Sequence, residues 1–307
     1  MQKIVTIGGG TGHYQTLRGL KHRDCSLTAV VNVCDNGGHS GDLRDEYGVL
    51  PPGDVRQCIL ALSKEENYWR EIFDDRFHGK SLGNLIIASL EKNHGRVEGL
   101  RRAGKLLETR GSVLYASLDD FHIFAELEDG TKLKGQKQVS YPKSKSRIKK
   151  VVAEPIPCVN GDAAEAIRQA DKVVICPGDL YGSIISNFLI KGLTEAISES
   201  DADIVYVCNI VTKAGSRRYK ASEFVSEIEK YLDLPLHKII INTKQPRQEV
   251  LEKYLAEDSV LVEDDLDNDQ RVIRKELSEP FVSEGQSGIK TILRHEPTLT
   301  SNAIMTA

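Results

Sequence analysis

The sequence predicts an α/β fold, an open, doubly wound, mostly parallel sheet that carries a small β-hairpin insertion. Three observations lead there. Uninterrupted apolar runs at 3–7, 27–34, 172–176 and 203–208 suit strands covered on both faces. Helical stretches separate these runs, and strand-helix-strand alternation implies right-handed crossovers. Glycine-rich loops leave the first two runs: Gly8-Gly9-Gly10-Thr11-Gly12, and Asp35-Asn36-Gly37-Gly38-His39-Ser40-Gly41. Serial glycine costs backbone entropy, roughly 0.5–1 kcal/mol per ordered position, and marks a sharp turn or a ligand's close approach.

In chain order, a short helix is expected at 13–20 and the second strand at 27–34. Pro51-Pro52-Gly53 stops the chain, and Asp54 is placed to cap a helix at 55–62. Further helices are expected near 68–77, 81–93 and 97–108. Residues 121–127 and 132–135 flank Glu128-Asp129-Gly130-Thr131, a hairpin signal. A β insertion is therefore placed at about 111–153. Alternation resumes with helix 163–169, strand 172–176, helix 184–197, strand 203–208 and helix 221–232. Strand 237–241, helix 248–255 and strand 260–262 follow, then a polar tail from about 263. The whole of 1–307 reads as one α/β domain.

Composition narrows the partners. A formal net charge of −4 gives no global attraction to nucleic acid or an anionic membrane. An anionic ligand must then be held by backbone N–H groups, a few placed cations or a metal. No apolar run is long enough to span a membrane, and strand pattern begins directly after Met1, without a signal peptide. Cys25, Cys34, Cys58, Cys158, Cys176 and Cys208 form no Cys-x-x-Cys pair, which predicts reduced thiols in a cytoplasmic protein.

Gly8, Asp35, Pro177 and Asn209 each follow an apolar strand, so their loops should share the carboxyl edge of the sheet, where ligands of such folds bind. The first loop fails the dinucleotide fingerprint, because the last glycine position falls on His13 or Gln15. It fails the P-loop as well, lacking Gly-Lys-Ser/Thr. What remains is a phosphate cradle at a helix N-terminus, with backbone N–H groups and Thr11 as donors, or a purely structural turn. If Asp35 and Asp54 approach each other, one must take a proton unless a cation joins them. Magnesium, held by one or two carboxylates plus phosphate oxygens, would do so; the plainer reading of Asp54 is helix capping. Ser81 capping the next helix is the plainer account of this segment; Asn84, with both a donor and an acceptor, could instead reach a phosphate or sugar. Pro177-Gly178-Asp179-Leu180-Tyr181-Gly182-Ser183 offers a second set of helix N-terminal donors. Cys208-Asn209-Ile210-Val211-Thr212-Lys213-Ala214-Gly215 could present amides to a base or sugar. The basic run 132–150 reads as the solvated edge of the insertion, and the acidic run 257–269 as a solvated loop.

Together, Ile7 to Gly12, Asp35 to Arg44, Leu50 to Arg56, His78 to Leu85, Pro177 to Ser183, Cys208 to Gly215 and Leu293-Arg294-His295-Glu296-Pro297 resemble the bacterial gluconeogenesis-factor family, part of the 2-phospho-L-lactate transferase-like superfamily. The resemblance implies a Rossmann-like sheet and a cytoplasmic UDP-sugar-binding regulatory protein linked to carbon metabolism, cell-envelope morphogenesis and cell shape. It implies Gly9, Gly10, Thr11, Gly12 and Ser183 at the phosphates, and Asn84, Asn209 and Arg294 around sugar and base. Ser40, Arg44, Gly178 and Thr212 complete that nucleotide-binding set, and a homodimer is compatible with it. The alternative is a transferase in which Asp35 and Asp54 hold magnesium while a phospholactyl group moves from a nucleoside diphosphate to a deazaflavin alcohol. The Leu50 to Arg56 segment is similar to the regulatory branch. This chain departs from the family at Asn36, where a second acid is usual, at His39 for a serine, and at Asp42 for an arginine.

Overall fold

The structure, a computed structural model, describes residues 1–285 and 288–307, with side chains described outside 281–291. Fourteen strands occur among them: β1 Gln2–Gly8, β2 Cys25–Val31, β3 Arg76–Phe77, β4 Lys80–Ser81, β5 Ser112–Tyr115, β6 His122–Leu127 and β7 Lys132–Lys134. The rest are β8 Ile148–Glu154, β9 Lys172–Ile175, β10 Asp203–Val207, β11 Lys238–Asn242, β12 Val272–Lys275, β13 Ser278–Gly285 and β14 Gly288–His295. Seven form the central sheet, in the order β12-β11-β10-β9-β1-β2-β5, every neighbouring pair parallel. The chain runs outward from β1 through β2 to β5, then returns to lay β9 on the other side of β1. That reversal opens a crevice at the carboxyl ends of β1 and β9.

The sheet interior is apolar, with Ile4, Ile7, Val30, Val174, Tyr206 and Ile240 buried. Helix Gly10–Leu20 packs against helices Pro52–Leu62 and Pro297–Thr306. Its Gly19 is required there, since a Cβ would sit 1.9 Å from the Pro297 carbonyl oxygen. Thr6, a polar residue inside β1, is satisfied by His13, whose Nε2 lies 2.8 Å from its hydroxyl. Burial holds His13 down to about 4, so it stays neutral.

Several sequence expectations shift. The second strand ends at Val31, because the Asn32 carboxamide turns the chain: its Oδ1 accepts from the Cys34 N–H at 2.8 Å and its Nδ2 donates to the Gly182 carbonyl at 3.0 Å. The expected helix 184–197 is broken into a π-helical turn Leu180–Ile185, a short turn Ser186–Phe188 and helix Leu193–Ser198. Gly192, at φ +92°, supplies the reversal between the last two. Residues 260–262 make a single bridge, Leu261 to Val211, and the edge strand is β12 instead. The polar tail is ordered into β12, the antiparallel hairpin β13–β14 and the last helix.

The insertion is a three-stranded antiparallel sheet, β7-β6-β8, with a short helix Gln136–Ser140 between β7 and β8. It begins after Tyr115 rather than near 111, because Ser112–Tyr115 pairs with β2 as the edge of the main sheet. The acidic run 257–269 is not simply solvated. Asp258 pairs with Arg217 at 2.6 Å, Asp264 with Arg274 at 2.6 Å, and Asp269 with Arg271 at 2.6 Å. The six cysteines are free thiols, and no helix among the described residues is long and apolar enough to cross a membrane.

Candidate functional site

A cleft of about 600 Å³ lies at the carboxyl ends of β1, β9 and β10. Its walls include Thr11, Gly12, Gly178, Asn209, Thr212 and Arg294 from the expected set, together with Gln15, Tyr141, Lys213, Tyr254 and His295. The glycine loop is wedged rather than loose. Gly10 sits at φ +66°, a conformation that favours glycine. A Cβ on Gly12 would lie 1.9 Å from the Pro177 carbonyl oxygen, and one on Gly9 would lie 2.4 Å from Asp54 Oδ2. The N-terminal turn of helix Gly10–Leu20 therefore faces the cleft between the Pro177 loop and the Asp54 carboxylate. Helix N-terminal N–H groups and the partial positive charge there favour an anion.

Asp54 does not cap its helix. Pro51 holds the N-cap position of Pro52–Leu62 and Pro52 the first turn, as proline's fixed φ favours, so Asp54 falls inside that turn. Its carboxylate accepts from the Gly10 N–H, so that donor, expected at a phosphate, serves the protein itself. Burial and then the neighbouring Asp35 charge push Asp54 up to about 7, against which the Gly10 hydrogen bond, Lys213 and Arg56 pull. Burial also raises Asp35, although its Oδ1 accepts from the Gly37 N–H at 2.8 Å and it is hydrogen-bonded to Ser40. The Asp35 and Asp54 carboxylates thus lie near enough behind the glycine loop for the Asp35 charge to raise Asp54. No group of three or more His, Cys, Asp or Glu side chains converges among the described residues. The donor set fits magnesium held by two carboxylates and completed by ligand phosphates, not an all-protein cage. Asn36, where the resemblance led to the expectation of a second acid, is turned to the insertion, its Oδ1 accepting from the Lys137 N–H at 3.0 Å.

The remaining expected residues divide. Asn209 donates from Nδ2 to the Gly178 carbonyl at 2.6 Å and accepts from the Tyr206 hydroxyl at 3.0 Å. Thr212 Oγ1 accepts from the Val260 N–H at 3.1 Å. Both side chains hold the wall together, so they shape the cleft while their polar groups are engaged within the protein. Asn209→Ala is expected to lower stability by about 1–3 kcal/mol, because the Tyr206 hydroxyl and Gly178 carbonyl lose their partner. Chemical denaturation checks this; an unchanged midpoint would mean the Gly178 loop is held by other contacts.

Ser183 is buried in the π-helical turn, its N–H donating to the Asp179 carbonyl at 2.9 Å. Arg44 is buried away from the cleft, its Nη2 donating to the Phe121 carbonyl at 2.6 Å and pairing with Asp120. Asn84 is buried in the first turn of the helix Leu82–His94 that Ser81 caps, with Oδ1 lacking a partner among the described residues. Neither Arg44 nor Asn84 lines the cleft. Lys213 and Tyr254 were not among the site residues expected from the sequence. Lys213 lies in an already selected loop and is its cation; Tyr254, which accepts the Leu293 N–H at 2.7 Å and so fastens β14, carried no local signal.

A doubly wound parallel sheet with its cleft beside the β1/β9 reversal places the molecule in the Rossmann-like α/β class. The chain belongs to the family described as 2-phospho-L-lactate transferase CofD, whose sequence profile matches residues 4–282, and within it is related to gluconeogenesis factors. A Thermotoga maritima relative is 41% identical over 290 residues, covering 92% of this chain and 91% of its own. The Halalkalibacterium halodurans protein named gluconeogenesis factor is 37% identical over 316 residues, covering 99% of this chain and 96% of its own. A Bacillus halodurans crystal structure superposes with a TM-score of 0.89 at 35% identity, over 99% of both chains.

Proposed function

We propose that the protein binds a nucleoside diphosphate sugar, a UDP-sugar, in the cleft at the carboxyl edge, as a cytoplasmic regulatory protein of carbon metabolism and cell-envelope growth. The observation that carries this reading is the convergence of a helix N-terminus at Thr11 and Gly12 with Arg294 and Lys213 around one 600 Å³ cleft. A diphosphate suits the helix N-terminus, and the two cations bring positive charge to the cleft of a net-negative chain.

Isothermal titration with UDP-N-acetylglucosamine, GDP and NAD, each with and without magnesium, tests it. The uridine nucleotide is expected to bind and NAD to fail, since no dinucleotide fingerprint is present. Absence of binding by any uridine nucleotide would sink the reading. Arg294→Ala is expected to weaken UDP-sugar binding by about 10–100-fold, the effect of losing a hydrogen bond to a charged group. Its melting temperature should stay close to the parent's; a large fall would assign Arg294 a structural role.

The charge coupling between Asp35 and Asp54 favours a second reading, a magnesium-dependent transferase of phosphorus-containing groups. Asp35 and Asp54 would hold the metal against the ligand phosphates, where it would stabilise charge developing on the transferred group. UDP-sugar binding that ignores both magnesium and Asp54→Ala would count against it.

A further inference from the structure

Beyond Gln15 the cleft wall leads onto a cluster of cations. Gln15 Oε1 accepts from Arg18 Nη1 at 3.4 Å, and Arg18 lines a second hollow of about 610 Å³. The two hollows also share a border in sequence, His295 lining the first and Glu296 the second. The Tyr14 ring carries two guanidiniums, Arg18 at 5.6 Å and Arg70 at 4.9 Å from its centre. Arg18, Lys21 and Arg70 all pair with one carboxylate, Glu66, at 2.8–2.9 Å. Arg70 also lies 3.8 Å from Asp74, which is already engaged by Arg56. Within this network, cations exceed carboxylates by two. The Glu296 carboxylate is turned away to cap the last helix, accepting from the Leu299 N–H at 2.6 Å. Arg18 and Arg70 remain about one-third exposed, so their outer N–H groups are reachable from solvent.

Structural cohesion alone needs fewer cations. A single buried carboxylate is neutralised by one or two, and Lys21, nearly fully buried, already serves Glu66. Arg294 feels the same field: burial lowers its guanidinium below the ordinary value, and the charges of Arg70 and Arg18 lower it further.

We propose that Arg18 and Arg70, with Arg294 at the cleft's edge, form a second anion subsite that takes a carboxylate or phosphate lying beside the diphosphate of the bound nucleotide sugar. This rests on the nucleotide-sugar reading and adds a ligand class to it, sugars that bear an acidic group. A planar guanidinium pair matches carboxylate and phosphate oxygens.

Calorimetric titration of the full chain with UDP-glucose and UDP-glucuronate tests the subsite, the two differing at the sugar by a carboxylate. UDP-glucuronate is expected to bind at least about tenfold more tightly, and Arg70→Gln to bring the ratio near one while leaving UDP-glucose affinity unchanged. Glu66 keeps Arg18 and Lys21 in that variant, and an unchanged melting temperature confirms its fold. Repeating the UDP-glucose titration with inorganic phosphate separates a free anion from one carried on the sugar. Affinity that rises with phosphate in the parent, and not in Arg70→Gln, assigns the subsite to a free anion. Equal affinity for both sugars with no phosphate effect overturns the subsite and leaves UDP-sugar binding standing, as does a preference that survives Arg70→Gln and Arg18→Gln. Binding of neither sugar removes the nucleotide-sugar reading and the subsite with it.

Discussion

Gly12→Val is expected to lose nucleotide-sugar binding and to lower the melting temperature by several degrees. Even the first added carbon would stand 1.9 Å from the Pro177 carbonyl oxygen and 2.6 Å from its carbonyl carbon. Those are backbone atoms, so no rotamer change relieves the overlap, and either helix Gly10–Leu20 or the loop after β9 must move. Overpacking in a close-packed region costs about 1–3 kcal/mol, and the upper end applies where backbone must shift. The displacement falls on the two loops that form the cleft, so stability and binding should fail together. Differential scanning calorimetry and a UDP-sugar titration on the same sample check this. A variant with parental melting temperature and affinity would show that the Pro177 loop is not fixed where the structure has it. Gly10→Ala is a milder contrast, because nothing lies within 4 Å of its Cβ position and the strain is conformational, from φ +66°.

The second large effect is a pH dependence centred on Asp54. Unfolded, its carboxyl titrates at the ordinary value of 3.8, whereas the folded protein holds it up to about 7. Between those values the folded state binds more protons than the unfolded chain. Stability is therefore greatest near and below pH 4 as far as this group is concerned, falls as pH rises toward 7, and levels off above. The loss is on the order of 2–4 kcal/mol, with Asp35, raised in the same direction, acting on the same side. Asp54→Asn keeps an acceptor for the Gly10 N–H and removes the charge. It should match the parent's melting temperature near pH 4 and exceed it by a margin that widens from pH 5 to pH 8. On the magnesium reading, added magnesium should narrow the difference at pH 8 by stabilising the parent alone, since a divalent cation would offset the charge that Asp35 places on Asp54. Parallel melting curves for parent and variant from pH 5 to 8 would show that Asp54 is solvated and carries no such penalty.

The local sequence made the architecture legible wherever period and punctuation agreed. Strands 172–176 and 203–208, helix 221–232 and the 121–135 hairpin needed no more than short apolar runs or 3.6-residue spacing between clear turn residues. Errors fell where a side chain chose a partner far along the chain. Asn32 ends β2 by bonding to Gly182, 150 residues on, which an apolar run through Val33 and Cys34 conceals. The polar stretch after 263 becomes strands because β11 offers an open edge to Val272–Lys275, while β13 and β14 pair with each other.

The site divides in the same way. The glycine loop, Asp35 and Asp54 were readable because backbone freedom and paired acids are properties of residue type at a position. Thr11, Gly12, Gly178, Asn209, Thr212 and Arg294 do gather at one cleft. Arg294 was found through the resemblance alone, since nothing in its own surroundings distinguishes it from a surface charge.

By itself the sequence determined the parallel α/β order, the loops at one edge of the sheet and the family, all of which rest on residue type and spacing. Tertiary structure decided which polar groups face the cleft and which are consumed in building it. Asn209, Thr212 and Arg44 could each have met a ligand, yet carbonyls, an N–H group, a hydroxyl and a carboxylate of the protein engage them, leaving Arg44 Nη1 buried without a hydrogen-bond partner. A buried polar group must be paired, and which partner reaches it first is settled by packing.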